Sequence, residues 1–195
     1  ILVENFKPGT LEKWGLGWKD ICKKFPKLIY ASASGFGQTG PLKELPAYDM
    51  VVQGMGGLMS VTGQPNSEPT RVGTSIGDIT AGLFTTIGIN AALYDREKTG
   101  KGMFIDVSML DCQIAILENA IARYLAKNEI PGPMGSRHPS IAPFEAFKTS
   151  DSYIIIAAGN DKLFEKLCKV LNLENLLSNN KFQTNSSRSE NMDEL

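Results

Sequence analysis

The chain has 195 residues, with 20 lysines and arginines against 21 aspartates and glutamates and a formal net charge of -1. Hydrophobic residues make up 42% and charged residues 21%, which excludes wholesale disorder, because disordered chains combine low hydrophobicity with high net charge. The near-neutral charge argues against a nucleic-acid-binding protein, whose affinity comes mainly from neutralising phosphates. No uncharged apolar run approaches the roughly 20 residues that span a bilayer, so we expect no membrane segment.

The cysteines bear on metal binding and on the redox compartment, and the chain ends bear on whether the sequence is part of a longer protein. Cys22, Cys112 and Cys168 stand far apart, no C-x-x-C pair is present and the chain has one histidine, so we expect no metal site. The odd number of cysteines and the lack of a secretory signal favour a reducing cytoplasm. The chain opens without a methionine and closes on a polar stretch, so we expect a piece of a larger protein.

The first part of the chain predicts short elements separated by turns. Residues 1–5 predict a strand, and a helical pattern begins at Thr10. Residues 27–32 form an apolar run between a proline and a glycine, which predicts a buried strand. A loop rich in glycine and proline covers 34–47, and residues 48–60 predict a helix.

The strongest helical pattern begins at Asp78 and ends in the Lys-Thr-Gly sequence at 98–100, as helix ends prefer. The apolar residues that recur along one face of this helix are Ile79, Leu83, Ile87 and Ala91. Residues 104–107 then predict a strand and residues 110–127 a long helix. Alternating strands and helices imply right-handed crossovers, so we predict an α/β fold with a Rossmann-like, mostly parallel sheet and flanking helices.

Prolines and glycines crowd together at 128–142, and we place a domain boundary there. Residues 1–127 are then part of a large Rossmann-like domain, 128–142 is a linker, and 143–195 begins a smaller α+β domain. The secondary structure predicted for this smaller domain is an antiparallel strand pair at 144–147 and 153–158 and a helix at 161–172. The tail from Ser178 is rich in asparagine and serine, which predicts a linker.

A Gly-x-Gly-x-x-Gly sequence covers residues 35–40. A dinucleotide site needs such a loop to open a helix, so that the helix N–H groups face the pyrophosphate. Here Pro41 follows at once, and no carboxylate stands near twenty residues further on to hold a ribose. The sequence therefore does not favour a dinucleotide site. It favours a glycine-rich loop that can approach a ligand closely.

Several residues allow both a structural and a functional interpretation. Asp78 suits a helix N-cap, and a carboxylate at a helix N-terminus, in a turn with glycine, is equally a candidate covalent nucleophile. Tyr48 suits a half-buried tyrosine with a wet hydroxyl. His138 is predicted as a loop residue rather than a base, because a base needs an oriented partner. Lys13 suits a solvated charge, and Met109, at the head of a helix, suits core packing.

Seven short runs, taken together and in order, resemble the class III coenzyme A transferases, a family that includes formyl-CoA transferase, carnitine CoA-transferase and the alpha-methylacyl-CoA racemases. These runs are residues 3–9, 34–41, 47–49, 56–59, 77–79, 99–102 and 106–111. The resemblance implies a protein of roughly twice this length, with coenzyme A and acyl-CoA as substrates rather than a permanently bound cofactor. It also implies an interlocked homodimer, small-molecule partners without nucleic acid or membrane, and a large CoA-binding domain over 1–127.

The resemblance assigns roles residue by residue. Asp78 falls on the nucleophile that attacks the acyl-CoA thioester, and Gly37 and Gln38 resemble the loop beside the active site. The positions that match CoA contacts are Asn5, Phe6, Lys13 and Met109. Lys13 stands where formyl-CoA transferase has an arginine, so it keeps the charge but loses the bidentate fork. Because some CoA contacts of the family lie outside this stretch, the chain alone is expected to hold an incomplete site.

Tyr48 separates the transferases from the racemases of this family. Racemases place a histidine there, 30 residues before the aspartate (78 - 48 = 30), as an acid/base partner at the alpha carbon. A phenol with a pKa of about 10 is a poor base at neutral pH. We therefore predict CoA transfer, with succinyl-CoA or another short acyl-CoA as donor and a dicarboxylic, hydroxy or carnitine-like acid as acceptor. An alpha-methylacyl-CoA racemase and a non-catalytic CoA-binding module remain alternatives.

Overall fold

The computed structural model describes residues 1–195, which divide into two compact units, Ile1–Pro133 (unit 1) and Met134–Leu195 (unit 2). The division falls inside the stretch 128–142, where prolines and glycines are frequent. Each unit buries apolar side chains in a core of its own. The assignment of 1–127 as a CoA-binding domain stays a prediction.

Unit 1 is built on a three-stranded parallel sheet in the order β1-β2-β3. The strands are β1 (Leu2–Glu4), β2 (Tyr30–Ser34) and β3 (Phe104–Ser108). The helices are α1 (Thr10–Lys13), α2 (Trp18–Lys24), α3 (Asp49–Met55), α4 (Leu58–Val61), α5 (Ile76–Thr99), α6 (Met109–Ile116) and α7 (Glu118–Lys127). Tyr30 pairs with Leu2 on one side and with Phe104 on the other. The predicted α/β class, with a parallel sheet and flanking helices, is confirmed.

Strand β2 begins three residues later than the prediction of 27–32 and ends two residues later. The Leu28 N–H donates to the Phe25 carbonyl at 2.9 Å, so a turn occupies the start of the predicted strand. Ladder pairing begins only at Tyr30, whose N–H donates to the Met103 carbonyl at 2.9 Å. The apolar run therefore gave the right element, but the turn after the preceding helix displaced its start.

Two predicted helices are each divided in the structure. The helix predicted over 48–60 breaks at Gly57, whose φ of 88° lies in the left-handed region that glycine tolerates and a helix does not. The helix predicted over 110–127 becomes α6 and α7, separated at Leu117, whose ψ of 21° departs from helical geometry. Met109 does begin α6, and the Ser108 hydroxyl accepts from the Asp111 N–H as its N-cap.

Helix α5 begins two residues before the predicted start. Its N-cap position is Ser75, so Asp78 is the third residue of the helix and the N-cap interpretation of Asp78 is wrong. The predicted end is confirmed, because Gly100 follows Thr99 with a φ of 70°, the left-handed geometry of a helix C-terminus. Asp78 consequently lies in the first turn of α5.

The buried face of α5 is made of small residues rather than of the predicted apolar stripe. Ile79, Leu83 and Ile87 are 46%, 58% and 62% exposed. The residues that α5 buries are Gly77, Thr80, Ala81, Thr85 and Ala92. Small side chains let the helix lie close to α6 and the sheet, whereas periodicity alone cannot say which face is buried.

By length and composition, with a mean hydropathy of 1.3, α5 could also cross a membrane, but core helices of soluble proteins meet the same criteria.

Unit 2 contains an antiparallel hairpin and three short helical segments. The strands are β4 (Phe144–Lys148) and β5 (Tyr153–Ala157), followed by α8 (Asp161–Leu171), a 3-10 helix (Glu174–Ser178) and α9 (Asn185–Glu190). The predicted hairpin is confirmed, with Ala146 paired to Ile155. The helix predicted over 161–172 is also present.

The tail from Ser178 is part of unit 2, so its prediction as a linker is wrong. Phe182 is 2% exposed and packs with Phe164 in the unit 2 core. Arg188 is fully buried and donates to the Ala142 carbonyl at 2.7 Å and to the Phe182 carbonyl at 3.0 Å. The third guanidinium contact is the Asp161 carboxylate at 2.7 Å. One buried arginine thus ties a polar-looking segment to the rest of the unit.

Candidate functional site

Unit 1 contains an open cavity of about 730 Å³, a volume within the range of small-molecule sites. The cavity lies where the strands end, because its lining includes the residues after β1, the last residue of β2 and the first residue after β3. The carboxyl ends of parallel strands are the usual ligand-binding edge of α/β sheets. The lining residues used below are Glu4, Asn5, Phe6, Lys7, Ser34, Tyr48, Asp78 and Met109.

Asp78 enters this cavity from the first turn of α5. Its side chain is exposed to solvent rather than buried in the helix packing. The positive end of the helix macrodipole favours a negative charge at this position. The carboxylate is therefore accessible to a ligand that enters the cavity.

Asn5 and Phe6 lie in the turn after β1, and a carboxylate fixes that turn. One Glu4 oxygen accepts the Phe6 N–H at 2.8 Å, and the other accepts the Ser32 hydroxyl. The Phe6 ring meets the Trp14 ring edge-on, with 5.4 Å between centroids. Both predicted CoA contacts, Asn5 and Phe6, thus lie on the cavity wall in a turn that the Glu4 carboxylate fixes.

Tyr48 and Met109 complete the group of predicted residues that the cavity brings together. Tyr48 precedes α3 and is 78% exposed, so its ring lies at the open surface of the cavity rather than half-buried. Met109 is 8% exposed and packs against the core while forming part of the lining. Core packing and cavity lining are therefore compatible for Met109.

Three predicted residues do not line the cavity. The Gln38 N–H donates to the Asp106 carboxylate at 3.0 Å, and the Gln38 side chain donates to Ser32 at 2.6 Å, so this residue is engaged within the fold. Gly37, with a φ of 80°, is buried beside Asp106. Lys13 ends α1 and is exposed away from the lining. Their roles toward substrate stay predictions.

His138 is held within unit 2, as expected of a loop residue. Its backbone N–H donates to the Phe144 carbonyl at 2.8 Å, and its ring stacks on the Phe144 ring with 5.1 Å between centroids. Nδ1 accepts the Ser140 N–H at 3.2 Å. No group of three or more metal-ligating side chains occurs in the structure.

The cavity lining also contains residues that the sequence reasoning missed. Lys7 is the only cation in the lining and could pair with a phosphate or a carboxylate. Ser34 is 6% exposed, and its buried hydroxyl has no hydrogen-bond partner. Lys7 and Ser34 both lie inside runs that carry the family resemblance, which was the available signal.

Asp49 is a further residue that sequence reasoning left without a role. Its Oδ1 accepts the Gly77 N–H at 2.8 Å, and its Oδ2 accepts the Gln53 side-chain amide at 2.9 Å. Arg71 approaches Oδ2 at 4.0 Å. Asp49 therefore connects α3 to the first turn of α5, one residue before Asp78.

Fold and site together define an α/β protein that presents an aspartate side chain to a ligand cavity at the carboxyl end of a parallel sheet. The profile of CoA-transferase family III matches residues 1–195. The chain belongs to this family.

Relatives and solved structures agree with the family assignment. The chain is 47% identical over 196 residues to acetyl-CoA:oxalate CoA-transferase of Acetobacter aceti, covering 100% of this chain and 50% of that protein. It is 43% identical over 195 residues to the human succinyl-CoA:glutarate CoA-transferase, covering 100% of this chain and 44% of that protein. A CAIB/BAIF family protein from Brucella suis matches 98% of this chain and 51% of its own, with a TM-score of 0.83 and 44% identity. The chain thus spans about half the length of the curated relatives it matches.

Proposed function

We propose that the chain carries the nucleophile and part of the CoA site of a CoA-transferase that moves coenzyme A from an acyl-CoA to a carboxylic acid. The observation that carries this function is the cavity that gathers Asp78, Asn5, Phe6, Tyr48 and Met109. The names of the relatives, which state CoA transfer to oxalate and to glutarate, support the same reaction class.

The reaction begins when the Asp78 carboxylate attacks the carbonyl carbon of the acyl-CoA thioester. The C–S bond breaks, leaving a mixed anhydride on Asp78 and free CoA thiolate. The thiolate then attacks the aspartyl carbonyl, which forms an aspartyl-CoA thioester and releases the donor acid as its carboxylate. No net proton transfer is needed in either step, so the site requires a nucleophile rather than an acid/base pair.

The second half of the reaction repeats these steps in reverse. The acceptor carboxylate attacks the aspartyl-CoA thioester, giving a second anhydride and CoA thiolate. The thiolate attacks the acceptor's acyl carbon, which releases the new acyl-CoA and restores the Asp78 carboxylate. Both anhydrides conserve the activation of the acyl group, provided that water is excluded from them.

One cation in the cavity lining, Lys7, supports anionic substrates beside the carboxylates of Glu4 and Asp78. Lys7 supplies an ammonium within the lining, where a CoA phosphate or the second carboxylate of a dicarboxylic acid would be neutralised. We propose a dicarboxylic acid as the acceptor and succinyl-CoA or another short acyl-CoA as the donor. The oxalate and glutarate named for two relatives are both dicarboxylic acids.

For the whole protein we propose an interlocked homodimer in a reducing cytoplasm. The exposed apolar face of α5, formed by Ile79, Leu83 and Ile87, supports the view that further polypeptide packs there. The three cysteines are free thiols, which suits a reducing compartment. A net charge of -1 supports small-molecule partners over nucleic acid.

Transfer is tested on the longest polypeptide that the gene encodes, with this chain in parallel. The protein is incubated with succinyl-CoA and then with glutarate or oxalate, and the acceptor's CoA thioester is measured by mass spectrometry. We expect transfer by the wild type and a loss of at least about 1,000-fold in Asp78→Asn, because the amide is no nucleophile. Asp111→Asn, which changes an exposed acid in the first turn of α6, is the matched control and should leave transfer unchanged.

Two other outcomes identify the alternatives. Exchange of the alpha proton of a 2-methylacyl-CoA with solvent deuterium, without transfer, would make the protein a racemase. Binding of CoA with neither transfer nor exchange would make it a binding module. Tyr48, a poor base in place of the racemase histidine, speaks against the first of these.

A further inference from the structure

The first turn of α5 is held from outside the helix. A helix leaves its first four N–H groups without partners, and its own N-cap side chain usually supplies one acceptor. Ser75 occupies the N-cap position of α5 but makes no such bond. Instead the Gly77 N–H donates to Asp49 Oδ1 at 2.8 Å, across 28 residues of sequence.

The same carboxylate is part of a longer bridge. Asp49 Oδ2 accepts the side-chain amide of Gln53, which lies one helical turn further along α3. Gln53 is fully buried, and its Oε1 accepts the Val72 N–H at 2.8 Å. Helix α3 therefore holds both the segment that leads into α5 and the first turn of α5 itself.

Packing around this bridge leaves little freedom. A Cβ atom added at Gly77 would lie 2.7 Å from Val52 Cγ2 and 3.1 Å from Asp49 Oδ1. Val52 is fully buried, so it cannot move aside into solvent. The lack of a side chain at residue 77 leaves the Asp49 carboxylate an open approach to the Gly77 amide.

We propose that Asp49 is a positioning residue, which fixes the first turn of α5 and thereby sets where the Asp78 carboxylate stands in the cavity. This inference rests on the proposed function of Asp78 as the nucleophile. Arg71, half-exposed and 4.0 Å away, adds little, so the hydrogen bonds to Gly77 and Gln53 carry the effect.

Loss of Asp49 should change the rate of the chemical step more than substrate affinity. A nucleophile displaced by about 1 Å can lose roughly 100-fold in rate. The CoA contacts predicted at Asn5 and Phe6 stand on a different element and keep their positions. We expect Asp49→Ala to lower kcat by about 10- to 100-fold with KM for the acyl-CoA unchanged within about 2-fold.

The test compares Asp49→Ala and Asp49→Asn with the control Asp111→Asn, at equal amounts of folded protein. Asparagine keeps Oδ1 as an acceptor for the Gly77 N–H but turns an NH2 group toward the Gln53 amide, so Asp49→Asn should recover only part of the lost kcat; it also serves if the alanine variant fails to fold. A second measurement, hydrogen exchange of the Gly77 amide, needs no activity. Asp49→Ala should speed that exchange about 3- to 10-fold, as loss of one hydrogen bond implies.

Several results would overturn the positioning role. These are an unchanged Gly77 exchange rate in Asp49→Ala, a wild-type kcat in the folded variant, or a rise in KM with kcat preserved. If the wild type transfers no CoA, the proposed function fails on its own. Gly77 exchange then still decides whether Asp49 fixes the first turn of α5.

Discussion

Replacing Gly77 with alanine inserts a methyl group between α5 and α3, and two opposing effects set the result. Alanine in place of glycine favours a helix by at most about 1 kcal/mol. The new Cβ atom, however, would lie 2.7 Å from Val52 Cγ2. Val52 is fully buried and β-branched, so the strain cannot relax by rotation, and overpacking of this kind costs about 1–3 kcal/mol. We therefore expect a net loss of about 1 kcal/mol in the free energy of unfolding.

Gly82 provides the matched control on the same helix. No atom lies within 4 Å of a Cβ built there, so Gly82→Ala gains helix propensity without strain. We expect it to raise stability by about 0.5–1 kcal/mol, which separates the two variants by about 2 kcal/mol. Urea unfolding followed by circular dichroism measures both. If Gly77→Ala proves as stable as Gly82→Ala, α5 does not pack against α3 as described.

Three further predictions concern buried groups. Burial first, and then the charges of Glu4 and Glu12, raise the pKa of Tyr30 to about 12. Tyrosine in an unfolded chain ionises near pH 10, so the buried, neutral Tyr30 contributes stability that is fully present below about pH 10 and is lost as the pH rises toward about 12. Urea unfolding of Tyr30→Phe should lack this decline. Burial, and then the charge of Asp111, raise the pKa of the Cys112 thiol to about 11, so iodoacetamide at about pH 8 should alkylate the half-buried Cys22 first. Arg188→Ala removes a buried guanidinium that serves two backbone carbonyls and should lower the free energy of unfolding of unit 2 by about 3 kcal/mol.

Each of these has a result that contradicts it. An equal fall in stability between about pH 10 and about pH 12 in Tyr30→Phe would show that other groups cause the alkaline loss. Labelling of Cys112 as fast as Cys22 would mean that the core around α6 is open. If Arg188→Ala leaves the free energy of unfolding unchanged, the tail from Ser178 is a linker and does not stabilise unit 2.

The sequence predicted the elements of the sheet because their determinants are local. Apolar runs bounded by turn residues mark β2 and β3, and the Lys-Thr-Gly ending marks the last turn of α5. The buried face of α5 could not be predicted in the same way. Its small residues, such as Gly77 and Ala81, carry no hydrophobic signal, and only the neighbouring elements decide that they face inward.

Prediction of the candidate site had a similar limit. Asp78 could be predicted from the sequence because it follows a glycine at a helix start. The family resemblance indicated Asn5, Phe6, Tyr48 and Met109. Asp49 depends on a contact across 28 residues, so no local pattern indicates its role. The tail of unit 2 was misjudged because its polar composition hides one buried arginine.

The most direct test of the account is a chemical trap at Asp78. The protein and its Asp78→Ala variant are incubated with succinyl-CoA and hydroxylamine, which converts an aspartyl anhydride or thioester to a hydroxamate, and peptides are mapped by mass spectrometry. We predict a hydroxamate on Asp78 in the wild type that is absent from the variant. Unlabelled Asp78 in protein that binds CoA, shown separately by calorimetry, would contradict covalent catalysis by this residue.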